Sequence, residues 1–364
     1  MFQATRIRLL ASLVASALLA AACAGGGATT PPSAPGSPSP AASAAQSPSP
    51  EPGALPTPEL TTIRIGLSVA ETSQFAAQLA HMTGIFDRLG LETEVTVFEG
   101  DGKTMQALQA GQLEFGFVGV SSAITSQTTD APVAIISVNA QVLSDQLVTL
   151  PDIKSADDLR GKCVAVSTFG GTSHGAVLLS LQALGLTPQD VVITEIGGQA
   201  ARIAALQGGA CAAAPVDASR EQEMRDLGFN ILVDLKEEGL PWGRSGAGVR
   251  EDWLAENRNT AIVVEAGVLE AQNMFWADPD TAAENYAEFA QLDLETAKAL
   301  VADFQEIGNR TMMWDDEAFE NPKRVLATVN PDIESVDVSD AYDRSILQTL
   351  ADIGYYEKLG IPLP

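Results

Sequence analysis

From Thr62 the chain alternates. Thr62-Ile63-Arg64-Ile65-Gly66-Leu67 sets apolar or β-branched residues at every second position, as a strand with one buried face requires. Helical spacing follows from Ser73 to Leu89, with a break near Gly84. Glu92 to Phe98 alternates again, and Lys103 to Ala110 is helical and stops at Gly111. Leu113 to Val118 predicts a third strand, Ser121 opens a third helix, and Pro132 to Val138 predicts a fourth strand. Strand and helix in turn predict a parallel sheet covered on both faces.

The pattern then restarts. A short helix at Ala156 to Leu159 precedes a strand at Lys162 to Ser167, and a helix from Ser173 to Leu184 is closed by Gly185. Strands at Val191 to Glu195, Cys211 to Pro215 and Asn230 to Asp234 alternate with helices at Gln199 to Leu206 and Ser219 to Leu227. The second unit is of similar size and is not a sequence repeat of the first, but two motifs recur in phase. Ala107-Leu108-Gln109-Ala110-Gly111-Gln112-Leu113-Glu114 matches Ala205-Leu206-Gln207-Gly208-Gly209-Ala210-Cys211-Ala212, each a helix end, a glycine stop and a buried strand. Val264, Val268, Ala271 and Phe275 keep helical spacing within a helical stretch from Trp253 to Phe304, and Tyr342 to Ile353 predicts a last helix. These helices are expected outside two lobes.

The N-terminus reads differently. Arg6 and Arg8 precede an apolar run, Leu9 to Ala22, that ends at Cys23. A basic stretch, a short apolar core and small residues before a cleavage point predict a signal peptide over residues 1–22. Leu19-Ala20-Ala21-Ala22-Cys23 resembles a bacterial lipobox, with alanine at position 20 where that motif prefers leucine, and implies a lipid on Cys23. Residues 23–59 are rich in Pro, Ser, Ala and Gly, too poor in apolar bulk to offset their ordering entropy, and predict a tether. The roughly 300 residues from Leu60 on suffice for two cores.

A net charge of -26 excludes a nucleic-acid partner, which needs a basic surface. Of the three cysteines, Cys163 and Cys211 lie in the folded part. Their spacing does not suggest a metal. Each begins a strand, and a disulfide between neighbouring strands and two buried thiols are both open.

Ligands of open α/β sheets bind beyond the carboxyl ends of the strands. The turns there hold Thr72 and Ser73, Gly100, and Ser121 and Ser122 in the first unit. Phe169, Thr172, Ser173, His174 and Asp217 occupy them in the second. Hydroxyls and free N–H groups at helix starts suit an anion or a carbonyl, although Ser and Thr also cap helices without any ligand. Phe169 offers a face for a ring. Lys103 is the one cation near the first unit's turns, and Glu71 and Asp101 oppose an anion, so a neutral or zwitterionic ligand is expected. Gly171-Thr172-Ser173-His174-Gly175 fits the G-x-S-x-G nucleophile elbow between a strand and a helix, which raises a secreted serine hydrolase as the rival reading. The folded region has only His81 and His174, one in the first unit and one adjoining Ser173, so a Ser-His-Asp triad is hard to assemble. No dinucleotide, phosphate-loop or zinc motif is present, and no cofactor, metal or catalytic residue is expected.

Several runs carry a family resemblance. They are Gly84-Ile85-Phe86 with Gly90-Leu91-Glu92, Ala107 to Phe117, Lys154-Ser155-Ala156-Asp157-Asp158-Leu159-Arg160-Gly161-Lys162, Val164-Ala165-Val166-Ser167, and Arg202-Ile203-Ala204-Ala205-Leu206-Gln207-Gly208-Gly209. In order and spacing, the chain resembles the periplasmic binding proteins of taurine, alkanesulfonate, nitrate and thiamine-precursor transporters. Glu114 stands where that family usually has Asp. The resemblance implies an α/β, two-lobed fold of the periplasmic-binding-protein type, each lobe a mainly parallel sheet flanked by helices. Lobe 1 would hold residues 60–140 and about 245–364, and lobe 2 residues 141–244, with hinge segments near Val138 to Leu143 and Leu232 to Gly246. It implies a monomeric, extracytoplasmic, membrane-anchored component of an ABC importer that closes on a small solute and passes it to a permease. The solute would be an amino sulfonate, a sulfonate or a pyrimidine-like heterocycle. A solute-sensing lipoprotein without a transport role is the other non-enzymatic reading. The cysteine-rich motif of the family's synthase branch is absent.

Overall fold

The computed structural model describes residues 52–363, so the expected signal peptide, Cys23 and most of the tether lie outside the described residues. Ten strands form two five-stranded sheets. β1 (Thr62–Leu67), β2 (Glu92–Val97), β3 (Phe115–Val118) and β4 (Val133–Val142) build the first. The chain crosses at 143–144 into β5 (Asp145–Thr149), β6 (Cys163–Val166), β7 (Val192–Glu195), β8 (Ala213–Asp217) and β9 (Asn230–Asp234), which form the second. It returns at 235–240, and β10 (Pro241–Arg250) completes the first.

The spatial orders are β2-β1-β3-β10-β4 and β7-β6-β8-β5-β9. β1 runs parallel to β2 and β3, and β6 to β7 and β8. β10 is antiparallel to β3 and β4, and β5 to β8 and β9. Each sheet is therefore mixed, with one reversed strand among four that share a direction. The alternation predicted neither reversed strand. β10 reads Pro241-Trp242-Gly243-Arg244-Ser245-Gly246-Ala247-Gly248-Val249-Arg250, a glycine-rich run that resembles a loop. It is a strand because it is wedged between β3 and β4, and a Cβ on Gly246 would fall against the Ser137 carbonyl of β4.

Burial divides the sheets. The first shares one large core with the C-terminal helices. Val264, Val268, Ala271 and Phe275, one stripe of the helix Arg258–Ala277, are fully buried there with Phe75 and Leu79. The helix Glu317–Ala327, which the sequence reading did not resolve, packs on β10, on Val120–Ser126 and on the helix Thr172–Ala183 of the second lobe. The second sheet has two small cores, one per face, because alternate residues point oppositely. Leu147, Val164 and Val166 face one way, and Val148, Ala165 and Ala214 the other. β6 and β8 are neighbours, and Cys163 and Cys211 at their starts are joined as a disulfide.

Candidate functional site: a buried arginine between the lobes

Arg244 stands on β10, in the first sheet, with 8% of its surface exposed. Its Nη1 donates to Ser73 Oγ at 2.8 Å, and its Nη2 to Glu71 Oε2 at 2.9 Å, both in the loop after β1. Nη2 also donates to Asp217 Oδ2 at 2.6 Å, at the end of β8 in the second lobe. Asp145 Oδ2, at the start of β5, lies 3.5 Å from Nε without a hydrogen bond. Asp145 and Asp217 are register partners across β5 and β8, which sets two carboxylates side by side facing one guanidinium. One arginine thus holds acids of both lobes.

A fixed second layer surrounds the cluster. Asp217 also accepts from Ser144 Oγ at 2.7 Å and from the Ser219 N–H at 3.0 Å, and its own N–H donates to Gln199 Oε1 at 2.8 Å. Arg202, buried as well, donates to the carbonyls of Pro215 and Gly197. A second tie crosses the seam at Asp101, whose Oδ2 accepts from Ser122 Oγ at 3.1 Å and from Thr172 Oγ1 at 3.3 Å. The lobes meet closely there, since a Cβ on Gly119 would collide with the Thr172 side chain.

The charges respond to burial. Burial pushes the Glu71 carboxyl up to about 7, with Asp217 and Asp145 adding to the rise and Arg244 opposing it. Burial also raises Asp145. Asp217 is held below its ordinary value, because Arg244 and the bonds from Ser219 and Ser144 outweigh its burial. Burial alone would lower Arg244, yet its three carboxylates raise it and fix the charge.

Two cavities flank Arg244. A pocket of about 50 Å³ lies at the centre, lined by Gly100, Asp101, Asp145, Thr172, Ser173 and Arg202 among others. A chamber of about 460 Å³ opens on the other side of the Glu71–Arg244 pair. Its acids are Glu71, Asp217, Glu221, Asp234, Glu237 and Asp303, against Arg244 and Lys236. Among the described residues no group of His, Cys, Asp and Glu has the arrangement of a metal site.

The sequence-derived residues separate into sets. Thr72, Ser73 and Asp217 line the acidic chamber, and Gly100, Thr172 and Ser173 the central pocket. Ser122 serves Asp101, and Ser121 is buried with its hydroxyl unpaired among the described residues. Phe169 and His174 face a different cavity. Ser173 Oγ bonds the Ser167 N–H and hydroxyl, at 2.8 and 2.6 Å. His174 Nδ1 accepts from the Gly170 N–H, and His81 from the exposed face bonds Thr93. Neither imidazole pairs with Ser173. The cation expected from the turns is corrected: Lys103 is exposed and pairs with Glu99, and among the described residues the buried cations are Arg244 and Arg202. Arg244 and Asp145 were missed because they sit on the two unpredicted strands. A single arginine inside the run Gly243-Arg244-Ser245-Gly246 was the available signal.

Two lobes of one strand order, with the polar cluster between them, define the class of two-lobed binding proteins. Residues 73–282 match the NMT1/THI5 like family, and the chain belongs to it. A binding protein of Brucella abortus is 23% identical over 246 residues, 64% of this chain and 72% of its own length. The fold is that of the alkanesulfonate-binding protein SsuA from Xanthomonas axonopodis pv. citri bound to MOPS, with a TM-score of 0.63 at 16% identity, over 79% of this chain and 99% of that one. The periplasmic nitrate-binding protein NrtA from Synechocystis PCC 6803 has a TM-score of 0.67 at 16% identity, over 84% and 92%. Fold and family together place the chain among the solute-binding proteins of ABC-type import systems.

Proposed function

We propose that this chain is a lipid-anchored, extracytoplasmic and monomeric solute receptor that closes its lobes on an amino sulfonate and delivers it to an ABC permease. Lobe 1 comprises residues 60–142 and 241–363, which moves the expected borders at 140/141 and 244/245 to the end of β4 and the start of β10, and lobe 2 residues 145–234; they move about the crossings at 143–144 and 235–240. The observation that carries the reading is Arg244, buried at the carboxyl ends of the strands and bonded from both lobes. A sulfonate takes the guanidinium in place of Glu71 and Asp217, in a geometry suited to bidentate donation. The ammonium end faces the acids of the 460 Å³ chamber. A plain sulfonate leaves those acids unanswered, and a pyrimidine-like heterocycle leaves Arg244 without an anion.

Native mass spectrometry of the purified folded domain, then calorimetry with taurine, ethanesulfonate and an aminopyrimidine, tests this. Taurine is expected to bind at least ten-fold tighter than the other two, and Arg244→Met to abolish it. Equal affinity of the variant for taurine would remove the cluster from the site. Cys23→Ser is expected to release the full-length protein from membranes, and retention there would refute the lipid anchor.

A further inference from the structure

A third cavity, of about 370 Å³, lies across the lobe seam and shares no lining residue with the two beside Arg244. Phe169, His174 and Ile193 wall it from the second lobe, and Leu326 of the helix Glu317–Ala327 with Val329 and Ile333 of the turns that follow it from the C-terminal part packed on the first. No Asp, Glu, Lys or Arg lines it, in a chain of net charge -26. Its lining therefore suits neither a cation nor an anion.

Three polar side chains line it, Thr125, Asn330 and His174. His174 is only 5% exposed, and its Nδ1 accepts the Gly170 N–H at 3.1 Å. An accepting Nδ1 in a neutral ring puts the proton on Nε2. Burial pushes this imidazole down to about 4, so the ring stays neutral at ordinary pH. Among the described residues Nε2 has no hydrogen-bond partner and is not one of the fully buried polar atoms, so this donor is open to a ligand in the cavity that His174 lines. Beside it stands Phe169, 52% exposed, with its ring edge-on to the imidazole at 5.2 Å. The Phe169 backbone is pinned, since its N–H and the Thr168 hydroxyl both bond Glu195. A large exposed aromatic held rigidly at a cavity mouth is a preformed stacking surface.

We propose that this cavity binds a small uncharged ring compound bearing a hydrogen-bond acceptor, with its ring on Phe169 and its acceptor on the His174 Nε2–H. Because both lobes contribute walls, the compound binds the closed arrangement. By linkage it favours retention of the solute at Arg244 instead of competing with it.

The probes are benzamide, which is neutral with a carbonyl, toluene, which has no acceptor, and benzoate, which is charged. Ligand-observed NMR and calorimetry on the folded protein are expected to give saturable benzamide binding at about 1 mM or tighter. Toluene and benzoate should each bind at least five-fold more weakly. Val329→Trp, which fills the cavity from its rim, should abolish benzamide binding and leave taurine affinity within two-fold. Phe169→Ala, at an exposed position, should weaken benzamide at least five-fold and serves if the tryptophan variant does not fold. Absence of saturable benzamide binding, equal binding of the three probes, or benzamide affinity unchanged in Phe169→Ala overturns the proposal. None of these outcomes touches Arg244, so taurine binding stands or falls separately.

Discussion

The two sheets share one plan and differ in what supports it. Both place a reversed strand fourth, between strands that run the other way. The first sheet draws on a single core fed by long C-terminal helices. The second has two thin clusters, one per face, and a disulfide between Cys163 and Cys211. Small cores bury a smaller share of their surface, and a covalent bridge is a common supplement. The reversed strands differ in charge as well. β10 of the first sheet carries the guanidinium, and β5 of the second carries a carboxylate, so each lobe completes the polar cluster of the other.

The contrast can be broken most strongly at its shared point. Arg244→Met leaves Glu71, Asp145 and Asp217 buried around no cation, and is expected to cost about 3–5 kcal/mol in urea unfolding. A loss under 1 kcal/mol would mean that the lobes do not depend on the cluster. Next, the Cys163→Ser, Cys211→Ser double variant opens a link across 48 residues and is expected to cost up to about 4 kcal/mol, typically 2–4. Hydrogen exchange should accelerate in β6 and β8 and not in β1 and β3. Uniform acceleration would deny the second lobe its separate dependence.

Acidity sharpens the comparison further. Glu71 is raised to about 7 in the folded protein, so its contribution is fully present below its ordinary value of 4.5 and is lost as pH rises through about 7. The shift corresponds to roughly 3–4 kcal/mol. Glu71→Gln should gain on the wild type steadily as pH rises from about 4, with most of the gain complete near about pH 8. Parallel stability curves for the two proteins from pH 5 to 8 would contradict the raised value. The smallest effect is expected at Ser173→Ala, which removes bonds to Ser167 at the central pocket. It should weaken solute binding several-fold and cost about 0.5–1.5 kcal/mol in unfolding. Unchanged affinity would take that loop out of the site.

Eight of the ten strands were readable from alternation, because their buried faces follow a period of two. β5 and β10 were not, and each for a physical reason. β5 opens with Asp145 and Gln146, polar side chains buried by the lobe contact and not by any local pattern. β10 has glycine where neighbouring strands press on its backbone, which erases the strand signature. The site suffered accordingly. The rule that ligands gather beyond strand ends found Thr72, Ser73, Gly100, Thr172, Ser173 and Asp217 around the two cavities beside Arg244. It missed the arginine, whose position depends on tertiary threading. It also grouped Phe169 and His174 with Thr172 and Ser173, although that turn sends its residues to two different cavities along the seam.

The crossings at 143–144 and 235–240 have a genetic meaning. Gln146 on β5 pairs with Asp234 on β9, so the entrance and exit of the second lobe lie one strand spacing apart. A segment whose ends meet is a cassette. The geometry permits a segment like 145–234 to be exchanged at two adjacent joints without re-threading the host sheet, provided the incoming piece brings acids to meet the resident arginine and a helix face to meet Glu317–Ala327.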